Sequence, residues 1–299
     1  STFNPYTQPI TFYKADGVTT VTVLLSDINA GNFYNTACSI NYSAQMGACF
    51  VMFFVVFVLT KESKRRSAIF ILNILSLLLG FLRALLLALY FVGPWSNIYP
   101  SYSLDFSYIP RSAYATSIAG VVIPLLMTTT VNMSLILQAY IVCKNMSTVY
   151  RHIVVGLSCS VFLLAVGFRF AEMVTNSISI MSSESYYAKE WIQTGTLATE
   201  TSSIWFFSII FTGKLVWTLV TRRIMGWKQW SGVRILAAMG GCTMVIPAIF
   251  AILEYVTVDS FPEAGTLAVT MVALLLPLSS LWASMAIDQE ASTLNLSQL

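Results

Sequence analysis

Seven almost wholly apolar stretches, each roughly 17 to 29 residues long, dominate this chain, and at about 1.5 Å of rise per residue each can cross a hydrocarbon layer of about 30 Å as a helix. They run Ala44 to Thr60, Ala68 to Val92, Ala115 to Cys143, His152 to Val174, Thr194 to Val220, Ile235 to Val256 and Ala264 to Ala286. Of 299 residues, 57% are apolar and 10% charged, far from the usage of a water-soluble domain. The expected fold is all-α: a seven-transmembrane-helix bundle with a small extracellular N-terminal β-hairpin segment. Residues 1–43 read as the extracellular segment, 44–286 as the bundle and 287–299 as the start of a cytoplasmic tail.

Positive loops stay cytoplasmic, so Lys and Arg set the orientation. One set of connections holds Lys61, Lys64, Arg65, Arg66, Lys144, Arg151, Arg222, Arg223, Lys228 and Arg234, whereas the other holds Lys14, Arg111 and Lys189. The N-terminus is therefore expected outside and the C-terminus inside. The net charge of +3 is this topological signal and implies no nucleic-acid partner.

Ile10 to Tyr13 and Val18 to Leu25 are β-prone runs around Lys14-Ala15-Asp16-Gly17, which predicts the hairpin. Three prolines and four tyrosines in Gly93 to Tyr114 predict a structured aromatic outer loop. Of the five cysteines only Cys38 is expected outside, as a free thiol or an intermolecular partner. Asn41-Tyr42-Ser43 is a glycosylation sequon lying close to the membrane.

Charges at membrane depth are expensive and mark cavities or partners. Arg83, Arg169, Glu172, Glu200, Lys214 and Glu254 are the candidates. Arg169 and Glu172 stand three apart on one helix, so mutual pairing explains them without a ligand. Lys214 lies close enough to Arg222 and Arg223 to snorkel inward. Arg83 and Glu254 are expected to line a water-filled outer pocket. Toward the inner half, Asn73, Asn132, Gln138, Ser279 and Ser280 can hydrogen-bond between helices. Pro124, Pro247 and Pro277 interrupt three spans and supply hinges.

Nothing in the chain points to an enzyme or a cofactor. The last span holds no lysine for a retinal Schiff base, His152 is the only histidine, and Ser158 of Gly156-Leu157-Ser158 has no base at its depth. Two classes remain: a ligand-gated receptor, or a transporter or channel, which needs a continuous polar pathway.

Two segments carry a specific likeness. Arg222 to Trp230 reads R-R-I-M-G-W-K-Q-W, and Leu276 to Ala283 reads L-P-L-S-S-L-W-A. With Ile69-Phe70-Ile71-Leu72-Asn73, Gln138 and Pro247, they resemble the fungal alpha-factor-type mating pheromone receptors, the class D G-protein-coupled receptors, from about Ile10 to Ala286. The resemblance implies a plasma-membrane receptor for a short secreted peptide pheromone, coupled to a heterotrimeric G protein and working as a homodimer. The family's glycine pair in helix 1 is replaced here by Ser43 with Gly47 and Ala44 with Ala48.

On this reading the ligand sits between Arg83, Tyr90, Arg111 and Tyr114 on one side and Glu190, Trp191, Glu254, Tyr255, Asp259 and Glu263 on the other. Family likeness places Tyr90, Arg111, Glu190 and Tyr255 at ligand-proximal positions. Lys64, Arg65, Arg66, Arg222, Arg223, Trp227, Lys228 and Arg234 are expected to dock the G protein. Asn73, Asn132, Gln138, Lys214, Pro247, Pro277 and Ser279 form the expected activation switch, with Asn73, Gln138 and Ser279 bonded across the inner half.

Overall fold

The computed structural model describes residues 3–143, 147–182, 190–224, 245–252, 255 and 263–296. Two strands, β1 (Pro9–Tyr13) and β2 (Thr20–Leu24), pair antiparallel with Pro9 opposite Leu24 and Tyr13 opposite Thr20. The turn between them needs a left-handed residue, and Gly17 supplies it at φ 68°. Asp16 closes the turn by accepting from the backbone N–H groups of Val18 at 3.0 Å and Thr19 at 2.9 Å and from the Thr19 hydroxyl. The predicted hairpin is present.

Eight helices are described: α1 (Leu25–Leu59), α2 (Ala68–Val92), α3 (Ile98–Ser103), α4 (Arg111–Val142), α5 (Thr148–Ser182), α6 (Glu190–Ile224), α7 (245–252) and α8 (Leu267–Leu296). Among the described residues α1, α2, α4 and α5 are both long and apolar enough to cross a membrane. α6 matches α1 in length, with 35 residues, but is richer in Ser and Thr. The expected span Ile235 to Val256 lies largely outside the described residues.

The first helix begins at Leu25, well before the apolar stretch that starts at Ala44. Hydropathy marks only the lipid-facing part of such a helix, whereas its Asn- and Tyr-bearing turns are stabilised by tertiary bonds. At 35 residues α1 is about 52 Å long, longer than a hydrocarbon core. Of the two expected alternatives for Cys38, a free thiol or an intermolecular partner, the structure has the free thiol, fully buried against its neighbours. Asn41 of the sequon is buried and spends its amide on the carbonyl of Glu263 at 3.1 Å.

Each helix packs on its chain neighbour from α1 through α2, α4, α5 and α6, and α8 returns to lie against α1, α2 and α4. Leu79, Met127, Val131, Leu135, Phe207, Val272 and Leu276 form the apolar core where these helices meet. Phe50, Val51, Phe54 and Val58 of α1 face outward, as a hydrocarbon solvent permits. Ser67 caps α2 by accepting from the N–H of Phe70 at 3.3 Å. The connection from Gly93 to Pro110 is ordered as expected. Tyr102 donates to the carbonyl of Asp27 at 2.7 Å, and Trp95 Nε1 to that of Ala113 at 3.4 Å, which ties α3 and its flanks to α1 and α4.

Candidate functional site

A cavity of about 790 Å³ opens at the hairpin end of the bundle. Its wall follows α4 from Pro110 down to Thr128, about 27 Å at about 1.5 Å per residue. Tyr90, Pro94 and Trp95 form part of the rim, Pro124 and Met127 part of the floor. The volume falls within the roughly 300 to 1,000 Å³ of small-ligand pockets.

One wall joins α1, α2 and α8 through a chain of polar groups. Arg83, 7% exposed, donates from Nη1 to Thr270 Oγ1 at 3.4 Å, and Thr270 donates to Gln45 Oε1 at 2.6 Å. Gln45 Nε2 donates to Asn41 Oδ1 at 3.1 Å and to Thr266 Oγ1 at 3.2 Å. Glu263 completes the wall, with Tyr34 and Tyr42 donating to its two carboxylate oxygens at 3.1 and 3.3 Å. It holds a left-handed φ of 60°, unusual for a residue with a side chain, and those bonds keep it there.

The facing wall belongs to α5 and α6. Arg169 Nη1 lies 2.9 Å from Glu172 Oε2, the expected pairing within one helix. The same guanidinium also reaches Glu200 on α6, with Nε at 3.6 Å from Oε1, and Glu200 accepts from the Thr128 hydroxyl at 3.0 Å. All four residues line the cavity. The i, i+3 spacing of Arg169 and Glu172 exposes their partnership in sequence, but not that a third charge from another helix turns the pair toward open space.

Of the ten expected ligand residues, Arg83, Tyr90 and Glu263 line this cavity. Tyr114 stands behind the rim with its ring edge-on to Trp95, centroids 4.9 Å apart. Arg111 opens α4 at an exposed position, and Trp191 and Tyr255 are exposed and outside the lining. Glu254 and Asp259 lie outside the described residues, as does the side chain of Glu190. Arg83 and Glu263 share one polar wall instead of facing each other, because α8 packs against α1 and α2. Tyr42, Trp95, Thr128 and Thr266 also join the lining, single polar or aromatic residues that no local pattern distinguishes.

Below the cavity the polar contacts continue in pairs. Asn132 Nδ2 donates to the Thr128 carbonyl at 2.9 Å, and Ser203 Oγ donates to Asn132 Oδ1 at 2.5 Å. Further down, Ser134 Oγ donates to Asn73 Oδ1 at 2.8 Å, and Gln138 Nε2 reaches Ser134 Oγ at 3.4 Å. The contact across to Asn73 is made by Ser134, which the sequence reading did not name, while Gln138, expected to bond across, bonds to Ser134 within its own helix. Ser279 is corrected: it donates to the Leu276 carbonyl of its own helix at 2.7 Å, taking up a carbonyl near Pro277. Pro247 and Pro277 are buried within α7 and α8, and Lys214 is half-buried on α6.

At the far end, Lys64, Arg65 and Arg66 follow α1. Arg65 is committed locally: Nε donates to the Thr60 carbonyl and Nη2 to that of Phe57, both at 3.0 Å, with the guanidinium over the Phe57 ring. It caps the negative end of the α1 dipole. Arg222 and Arg223 close α6, their side chains outside the described set. Trp227, Lys228 and Arg234 lie outside the described residues.

Residues 3–284 match the family described as fungal pheromone mating factor STE2 GPCR. Among curated relatives, the pheromone alpha factor receptor of Lachancea kluyveri is 28% identical over 253 residues, covering 82% of this chain and 58% of that protein. Its Saccharomyces cerevisiae counterpart is 27% identical, with 83% of this chain and 58% of the relative covered. The pheromone P-factor receptor of Schizosaccharomyces pombe is 23% identical over 88% of this chain and 77% of its own length. The chain therefore spans little more than half the length of the alpha factor receptors it resembles.

Proposed function

The chain belongs to the fungal pheromone mating factor STE2 GPCR family, and on that footing we propose that it is a seven-helix plasma-membrane receptor that binds a short secreted peptide pheromone outside and activates a heterotrimeric G protein inside. The observation that carries this reading is the deep cavity at the hairpin end, with aromatic rim and charged walls. The N-terminal hairpin lies outside and α8 leads into the cytoplasm, in keeping with the distribution of Lys and Arg. Arg83 and Arg111 offer positive charge to the peptide's carboxylate, and the acids near the fifth to seventh spans, Glu190, Glu254, Asp259 and Glu263, favour its amino end.

Activation moves α7 and α8 about Pro247 and Pro277, loosening the Asn73–Ser134–Gln138 contact below the cavity. Arg222 and Arg223, with Lys64, Arg66, Trp227, Lys228 and Arg234, meet the G protein. A homodimer through α1 fits the same account, since Ser43, Ala44, Gly47 and Ala48 are exposed along one face and a Cβ at Gly47 would meet nothing within 4 Å.

A transporter would need an open path past the cavity floor, yet among the described residues the packed Leu79, Met127, Val131 and Leu135 cluster occupies that level. Peptide-stimulated nucleotide exchange on a purified heterotrimeric G protein tests the receptor reading. Solute flux in proteoliposomes tests the other.

A further inference from the structure

Glu200 is a buried acid whose carboxylate is half used. Its side chain is 9% exposed, and both near contacts, the Thr128 hydroxyl and Arg169 Nε, fall on Oε1. Among the described residues Oε2 has no hydrogen-bond partner, although the side chain lines the cavity. One guanidinium thus faces two carboxylates, Glu172 and Glu200, on a wall otherwise supplied by uncharged groups such as Asn176 and Gln193. The other described charges of the lining, Arg83 and Glu263, belong to the α1, α2 and α8 wall. A carboxylate that is desolvated and only partly neutralised is stabilised by any cation brought within reach.

We propose that Glu200, with Glu172 and Arg169, forms a subsite for a cationic group of the ligand, an ammonium or guanidinium carried on an arm long enough to reach down the cavity along α4. The inference rests on the cavity being the ligand site. The incoming cation supplies the second positive charge of the cluster, next to Glu200 Oε2. A void of about 10 Å³, room for a single water, touches Glu200, Thr128, Asn132 and Ser203. Occupancy of the subsite is therefore felt at the Thr128–Asn132–Ser203 contacts directly beneath, where the polar pairs lead on toward the far end of the bundle.

Benzamidine, benzamide and benzoate share one ring and differ in charge, so they probe the subsite in the purified full chain without knowledge of the pheromone. Their affinities are read from ligand-dependent shifts of the thermal midpoint. Benzamidine is expected to bind about tenfold more tightly than benzamide, with benzoate weakest, and Glu200→Gln to bring benzamidine and benzamide within about twofold. Equal affinity of benzamidine and benzamide for the unmodified chain overturns the subsite, as does an undiminished preference in a folded Glu200→Gln variant. The contrast among probes in the unmodified chain decides the matter even where the variant does not fold. Nucleotide exchange plays no part here: lost cation preference with intact peptide-stimulated exchange removes the subsite alone, and the reverse pattern removes the receptor reading alone.

Discussion

Nε of Arg169 on α5 lies 3.6 Å from Oε1 of Glu200 on α6, while Nη1 of the same guanidinium lies 2.9 Å from Oε2 of Glu172 on its own helix. One cation therefore holds two helices together and two carboxylates apart. Replacing Arg169 by Met leaves both acids without it in a poorly hydrated wall. Because the pair is partly open to the cavity, the expected loss is moderate, about 2 kcal/mol. The double variant Arg169→Met with Glu200→Leu should recover at least about half of that. Thermal unfolding of the detergent-purified chain measures both, and equal loss in the single and double variants would contradict the coupling.

A second expectation concerns the contact below the cavity. Gln138→Leu removes the donor to Ser134 and loosens the tie that Ser134 makes to Asn73. Interhelical bonds such as that from Ser134 to Asn73 contribute about 0.6 to 2 kcal/mol, enough to shift a two-state balance about threefold to thirtyfold. Ligand-free nucleotide exchange should rise by that factor, and basal exchange at the unmodified level would argue against a resting-state role.

Helix contact is set in places by missing side chains. A Cβ at Gly195 of α6 would overlap the Phe168 ring of α5, whereas one at Gly167 would meet nothing within 4 Å. Gly195→Ala is expected to cost about 1 to 3 kcal/mol through forced repacking. Gly167→Ala, which meets no overlap, should raise the thermal midpoint slightly through a helix-propensity gain of about 0.5 to 1 kcal/mol, and the opposite signs separate contact from propensity in the same assay.

How much of this was legible in the sequence depends on the range of the signal. The apolar runs of α1, α2, α4 and α5, the hairpin and the Arg169–Glu172 pair are local patterns, and four long apolar helices, two paired strands and the ion pair stand there. The start of α1 at Leu25 was not legible, because its polar turns are held by Tyr102 and Glu263, residues far along the chain. Arg65 read as a docking charge and also caps α1, since positive-loop statistics carry no information on what a given guanidinium bonds. Glu200 gained its meaning only when α6 brought it beside α5.

The hairpin and the connection between α2 and α4 give a pH dependence outside the membrane spans. Asp16 is held below the usual carboxylate range chiefly by the Thr19 hydroxyl and then by the Val18 N–H, and Asp105 chiefly by the Ser107 hydroxyl and then by the Ser107 N–H. A lowered folded-state pKa gives stability that is fully present above the unfolded value and is lost as pH falls through the folded one. Amide protection at Val18, Thr19 and Ser107, corrected for intrinsic exchange, should be flat between about pH 5 and 8 and fall below about pH 4. Asp16→Asn should remove that fall at Val18 and Thr19 while leaving it at Ser107. A fall of equal size in the variant would assign the effect to another group.

The central claim is that a peptide in the cavity drives exchange at the opposite face. The direct measurement is nucleotide exchange on a purified heterotrimeric G protein by the full chain in lipid nanodiscs, with and without the cognate pheromone, beside the Arg222→Ala, Arg223→Ala double variant. The account predicts a saturable, peptide-dependent rise in exchange for the unmodified chain. It predicts a reduced rise in the double variant, whose peptide affinity without G protein is unchanged. Exchange that ignores the peptide at saturating concentration, in a preparation shown to bind it, would contradict the account.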